Sequence, residues 1–206
     1  MDRAVSWTIA AGASDQRCAD PQKCGRHGAR RIGDLWSRKI ARKSSPSAGG
    51  VHASEAYVLA MNVTGIPKGI YHYRSHQHIL SCVSSDLEVS HLGRLLAGQE
   101  FAEDLSLGIF ITSRFDKLWD KYHHSRAYRV ALLDIGHLSQ TFQLCATAIG
   151  LECWLTGLFL DTEVNQLLHI DNTSEQAMFF VGAGKGKRQM LDEKTLACLT
   201  ENERVS

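Results

Sequence analysis

Over residues 128–149, Leu132, Ile135, Leu138, Phe142, Cys145 and Ile149 recur three or four positions apart, which predicts a helix with one apolar side. Gly136, Ala146 and Ala148 interrupt that surface, and small side chains there admit another helix, a flat ligand or ordinary close packing. A second helical stretch runs over 87–101, with Val89, Leu92, Leu95 and Leu96 near one face. A third is predicted over 163–168, with Asp161 or Thr162 as its cap. The strand signals are shorter. Residues 52–61 end as a strand, 64–69 turn the chain and 70–73 return, so the pair predicts a hairpin. Further strands are predicted over 78–83, 107–112 and 177–182. Hairpins mixed with long, non-alternating helices point to an α+β fold rather than a doubly wound sheet.

The amino-terminal end has a different character. Residues 1–41 show little sustained periodicity and are expected to form a variable or partly disordered segment. Within it, 30–40 predicts a short helix burying Ile32, Leu35, Trp36 and Ile40. Residues 42–206 are expected to be a single domain, since a chain of 206 residues supports one substantial core. A net charge of +1 gives no bulk electrostatic reason to bind nucleic acid or an anionic membrane. No stretch approaches the roughly 18 to 20 apolar residues of a membrane span, and the first residues carry no signal-peptide pattern. The six cysteines include no CxxC pair, and Cys145 and Cys153 fall in an apolar helical pattern that suits small buried thiols. A reducing cytoplasm is the expected compartment.

Three segments carry candidate chemistry. In Ser44-Ser45-Pro46-Ser47-Ala48-Gly49-Gly50, proline restricts the backbone, glycines permit close approach and serines supply hydroxyls. That run reads on composition as a solvated turn before a strand, and it also suits a flat polar ring held by exposed amides. Lys121-Tyr122 places an ammonium beside a phenol, able to orient a substrate or move a proton, or simply to end a helix. Gly182-Ala183-Gly184-Lys185-Gly186-Lys187-Arg188 offers amides and cations to a phosphate, or forms a basic tail. It matches neither a Walker A loop nor the dinucleotide fingerprint. Histidines 72, 76 and 78 share strand parity, yet Arg74-Ser75-His76-Gln77 reads as a turn, and no acidic ligand set accompanies them, so no metal site is expected.

Taken in order, these pieces resemble the nitroreductase superfamily, and within it the SagB/McbC-like branch of azoline dehydrogenases. Resemblance covers about residues 42–188 and rests on three motifs: Pro46-Ser47-Ala48-Gly49-Gly50 followed by His52 and Glu55-Ala56-Tyr57; Gly69-Ile70-Tyr71-His72-Tyr73; and Tyr128-Arg129-Val130-Ala131-Leu132-Leu133-Asp134-Ile135-Gly136-His137-Leu138-Ser139-Gln140. It implies a central antiparallel sheet flanked by helices in an intertwined homodimer, with non-covalent FMN at the dimer interface. Pro46, Ser47, Ala48, Gln140 and Gly157 would then lie along the flavin, Lys185 and Arg188 near its phosphate, and Lys121 and Tyr122 would be the catalytic pair. The family's amino-terminal Arg-Arg-Ser-x-Arg element is matched poorly by Arg30-Arg31-Ile32-Gly33-Asp34.

The function this resemblance implies is azoline-ring oxidation in a peptide, with biosynthetic enzymes as partners. The alternatives are an NAD(P)H-dependent reductase of nitro or quinone compounds, which would take a small aromatic substrate, and a degenerate flavin-binding dimer without activity.

Overall fold

The computed structural model describes residues 43–185. The helix expected over 30–40 and the phosphate contact expected of Arg188 lie outside the described residues. Six strands form one antiparallel sheet: β1 (Ser54–Ala60), β2 (Gly69–Arg74), β3 (Ile79–Ser84), β4 (Leu107–Arg114), β5 (Glu152–Thr156) and β6 (Glu175–Gly184). Their spatial order is β3-β2-β1-β4-β6-β5. The helices are α1 (Leu92–Leu95), α2 (Phe115–Tyr122), α3 (Arg126–Ala148) and α4 (Asp161–Leu167). The α+β expectation and the β1–β2 hairpin both hold, with Tyr57 opposite His72 and Leu59 opposite Ile70.

Alternation along the strands sorts the core into two layers. Tyr57, Leu59, Phe110 and Phe180 share one face with Leu92, Leu96, Val164 and Leu168. Val58, Ile109, Ile111 and Val181 share the other with Ile135, Phe142 and Ala146 of α3. Strand β4 is covered on both faces and buried from Leu107 to Ser113, which explains its nearly unbroken apolar and β-branched run. A bulge sets Ile111 opposite Phe179 and Thr112 opposite Ala177, so Met178 and Phe179 both pack into the α3 layer.

Several sequence expectations shift. The buried stripe of α3 is Ala127, Ala131, Ile135, Ser139, Phe142 and Ala146, whereas Leu132 and Ile149 stay 48% and 41% exposed. At about 100° per residue, Leu132 is turned about 60° from Ile135, and Ile149 lies past the helix end, where Gly150 adopts φ +79°. The helix expected over 87–101 is broken: Ala97 and Gly98 take positive φ, and the Gly98 amide closes back on the Gly93 carbonyl. Helix α4 begins at Asp161, with Leu160 at its N-cap, so Asp161 and Thr162 are first-turn residues and not caps. The Leu160 amide is held by the Leu95 carbonyl, and Asp161 and Glu163 complement the helix dipole. Strand β5 was not foreseen as an element, helix α2 was foreseen only as a helix end at Lys121-Tyr122, and Cys153 sits in β5 instead of a helix.

Helix α2 is tied to the sheet by charge. Lys117 Nζ lies 2.6 Å from Glu55 Oε1 on β1, and His72 Nε2 lies 3.3 Å from the other Glu55 oxygen. Burial alone would raise the Glu55 carboxyl, but hydrogen bonds from His72 and Lys117 and the Lys117 charge overturn it and hold the group at about 2. Because the folded value lies below the unfolded one of about 4.3, this stabilisation is full above that pH and is lost as pH falls toward 2. Glu55→Gln is expected to cost on the order of 1–2 kcal/mol at neutral pH, discounted for the partly exposed lysine. It should also flatten the acid limb of stability. Urea unfolding from about pH 7 to pH 3 checks this: a mutant whose acid limb runs parallel to wild type removes Glu55 from the account.

Candidate active site

The turn that precedes β1 is shaped by its glycines. Ala48–Gly50 forms a 3-10 turn in which Gly49 and Gly50 take φ of +59° and +65°, the left-handed region where a side chain is disfavoured. Helix α3 supplies its anchor. Asp134 is 5% exposed, lies about a quarter turn round from Ile135 and is covered by this turn. Its Oδ2 accepts a hydrogen bond from Ser47 Oγ at 2.6 Å, and its Oδ1 accepts one from the Ala48 amide at 3.0 Å. Ser47 Oγ in turn accepts from the His52 amide at 2.9 Å. A carboxylate with both oxygens engaged in this way is a strong clamp.

Helix α2 brings the second segment to the same place. It ends at Tyr122, where His123 turns left-handed (φ +51°) and its amide caps the Trp119 carbonyl. Lys121 Nζ donates to the Gly49 carbonyl oxygen at 2.5 Å. A Cβ placed on residue 49 would lie 2.7 Å from Lys121 Cε and 3.0 Å from the Tyr122 hydroxyl, so a side chain there would push the lysine tip aside as well as strain a backbone at φ +59°. Tyr122 packs against a small apolar cluster of Ala53, Leu118, Ala127 and Ala131, which joins the turn, α2 and α3. Burial, and then the Asp134 charge, push the Tyr122 phenol above its ordinary range, so it holds its proton at neutral pH.

Beside the turn, two adjoining cavities share Lys43, Ser45, Ser54 and Leu138. One reaches Ser47 and Asp134; the other runs between α3 and the sheet over Ile109, Ile111, Phe142 and Val181. Ser45 is 7% exposed, and its hydroxyl finds no partner among the described residues. Lys43 donates to Ser75 Oγ at 2.9 Å, and burial lowers its pKa.

Of the residues expected to form a site, Pro46, Ser47, Ala48, Lys121 and Tyr122 therefore meet. Gln140, Gly157 and Lys185 do not join them: each is exposed, on α3, after β5 and after β6 respectively. Asp134 was not singled out from sequence. Its signal was an acid inside a largely apolar helix, a position that asks for a buried partner. The histidines part ways, as residues 75–78 form a turn, His72 faces Glu55 and His78 Nδ1 lies 2.8 Å from the Tyr73 hydroxyl. Among the described residues no three His, Cys, Asp or Glu side chains group to hold a metal. No helix among them is long and apolar enough to cross a membrane.

A six-stranded antiparallel sheet backed by one long helix, with a glycine turn clamped to that helix beside a Lys-Tyr pair, defines an α+β protein with a candidate site where the turn, α2 and α3 meet. The chain belongs to the nitroreductase family, whose model matches residues 26–185. It is 30% identical over 129 residues to the protein MJ1384 of Methanocaldococcus jannaschii, spanning 62% of this chain and 64% of that one. It is 29% identical over 141 residues to the trifolitoxin-processing protein TfxB of Rhizobium leguminosarum bv. trifolii, spanning 66% of this chain and 38% of that one. The matched region thus spans less than two thirds of either relative's length. Among solved structures, a chain of the E. coli microcin synthetase McbBCD complex with truncated pro-MccB17 bound shares the fold, with a TM-score of 0.67 at 21% identity over 90% of this chain and 64% of that one.

Proposed function

We propose that this chain is one subunit of an FMN-dependent homodimer that oxidises azoline rings in a peptide substrate. The observation that carries the reading is the meeting of Lys121 and Tyr122 with the Gly49 turn across 72 residues of sequence. The similarity to TfxB, named for processing trifolitoxin, supports a peptide substrate. Any partner enzymes of a biosynthetic complex belong to the same proposal.

The residues present fit a flavin. Ser45 offers a buried hydroxyl without a partner among the described residues, and Pro46 and Gly49 are exposed beside it. Pro46, Ser47 and Ala48 would lie along the ring with Gln140 and Gly157, and Lys185 and Arg188 would lie near the phosphate. Tyr128, Leu132, Leu133 and Leu144 stand 48% to 64% exposed on α3, more apolar surface on one helix than a lone subunit usually leaves in water. Bound FMN supplies reversible two-electron chemistry. The chain's own work is the proton. Tyr122, kept protonated, donates a hydrogen bond to a substrate heteroatom, and Lys121, the amine beside it, assists removal of the proton from ring carbon.

A protonated Tyr122 also suits proton delivery to a reduced nitro or quinone group, which keeps the NAD(P)H-dependent reductase as a second reading. Purified full-length protein, mixed with FMN and desalted, is expected to retain flavin absorbance near about 370 and 450 nm. A thiazoline peptide turned over with an electron acceptor then supports the dehydrogenase, and a quinone reduced by NADPH supports the reductase. Loss of all flavin on desalting, even from concentrated protein, leaves the degenerate dimer.

A further inference from the structure

We propose that Asp134 is the positioning residue of this site, holding the Ser47–Gly50 turn against Lys121 and Tyr122 and placing a buried negative charge beside that pair. Three observations converge on it. Both carboxylate oxygens are engaged by the turn, one by the Ser47 hydroxyl and one by the Ala48 amide. The same turn receives Lys121 on the Gly49 carbonyl and brings residue 49 close to the Tyr122 hydroxyl, which would lie 3.0 Å from a Cβ placed there. Asp134 is almost wholly buried, so its charge acts through protein rather than through water.

Tyr122 has titratable neighbours on α2, on α3 and in the turn between them. Lys121 precedes it on α2, Asp134 faces it from α3, and the His124 ring lies 6.4 Å away, tilted by 42°. Of these, only Asp134 is an acid, and its charge adds to burial in keeping the phenol protonated. One buried carboxylate thus does two jobs. Through its hydrogen bonds it fixes the backbone on which Lys121 rests, and through its charge it keeps Tyr122 a donor. Loss of the first would misplace the pair; loss of the second would let the phenol ionise at lower pH.

Two substitutions separate the jobs. Asp134→Asn can keep both contacts, since the amide oxygen accepts from the Ala48 N–H while the amide nitrogen donates to Ser47 Oγ. It removes the charge and reverses the Ser47 bond, whose hydroxyl proton then turns to another acceptor, while the turn stays tied to α3. Asp134→Ala removes both, and Ser47→Ala, which cuts the bond to Asp134 together with the one Ser47 Oγ accepts from the His52 amide, serves if that variant does not fold. The first readout needs neither flavin nor activity: phenolate absorbance of the full chain is titrated, with Tyr122→Phe as the subtraction that isolates Tyr122. Asp134→Asn is expected to move this titration to lower pH, and Ser47→Ala to leave it in place.

The kinetic readout rests on the flavoenzyme reading. There, Asp134→Asn should retain FMN and shift the alkaline limb of kcat to lower pH, while Ser47→Ala and Asp134→Ala should lower kcat by about 10- to 100-fold with less change in KM. An unmoved Tyr122 titration in Asp134→Asn, or unchanged kcat in Ser47→Ala and Asp134→Ala, overturns the proposal. If no variant and no wild-type preparation holds FMN, the flavoenzyme reading fails while the titration still decides the role of Asp134.

Discussion

Tyr122→Phe and Lys121→Met, each in the flavin-loaded full chain, are expected to lower turnover by about 10²- to 10⁴-fold, the span that one positioned proton-transfer group commonly contributes. Neither should disturb the fold. Phe keeps the ring that packs against Ala53, Leu118, Ala127 and Ala131, and deletes only the hydroxyl beside Gly49. Lys121 is exposed, and its loss frees a carbonyl of an exposed turn that water can satisfy. If the two act as a unit, the double mutant should be little worse than the poorer single mutant, because the second deletion finds the step already broken. Steady-state kinetics with the native substrate, beside FMN absorbance and melting curves, makes the comparison. Full turnover in both single mutants, with FMN retained, would mean that Lys121 and Tyr122 merely end a helix.

The parts of this site were legible in the sequence, but their assembly was not. Two adjacent positive-φ glycines behind Pro46 could be read as a tight turn, and Lys121-Tyr122 as a donor pair, because each depends on neighbours in the chain. Joining them required Asp134, 87 residues from Ser47, and no local periodicity encodes such a contact. The same reasoning covers the fold. Residues of α3 near Ile135 follow the 3.6-residue period into the core, whereas Leu132 stays exposed at the edge of that stripe. Strand β5 was missed because its five residues are each only partly buried or exposed and acquire strand geometry by pairing with β6. Cys153 went with it, as a short apolar run after a helix carries no signal of its own that the helix has ended.

Phe180→Ala is expected to destabilise the protein by about 3–5 kcal/mol, the usual cost of truncating a fully buried aromatic. Phe180 is completely buried at the middle of β6, directly opposite Phe110 on β4. Their ring centroids are 4.9 Å apart, Trp154 on β5 lies 5.9 Å from the same ring, and Phe159 packs 5.7 Å from Phe110 on its other side. One aromatic cluster therefore ties β4, β5 and β6 together. Gly108 sharpens the test, because a Cβ there would meet the Phe180 ring at 2.7 Å. The ring occupies the space that an alanine at 108 would need. Gly108→Ala should thus be destabilising in the wild-type background, yet recover part of the loss when combined with Phe180→Ala, since its methyl then enters a vacated volume. Urea midpoints for the two single mutants and the double mutant give the coupling, which should be about 1 kcal/mol or more and favourable. Simple additivity would mean that the neighbouring chains collapse into the hole, and that β4 and β6 are held by their ladder of hydrogen bonds more than by this cluster. Trp154 carries the consequence toward Gly157, as β5 ends at Thr156, whose hydroxyl accepts a hydrogen bond from the Leu158 amide and braces the turn that holds Gly157. A loosened Trp154 should therefore weaken FMN retention in Phe180→Ala at temperatures where the chain is still folded, if Gly157 takes part in holding the flavin.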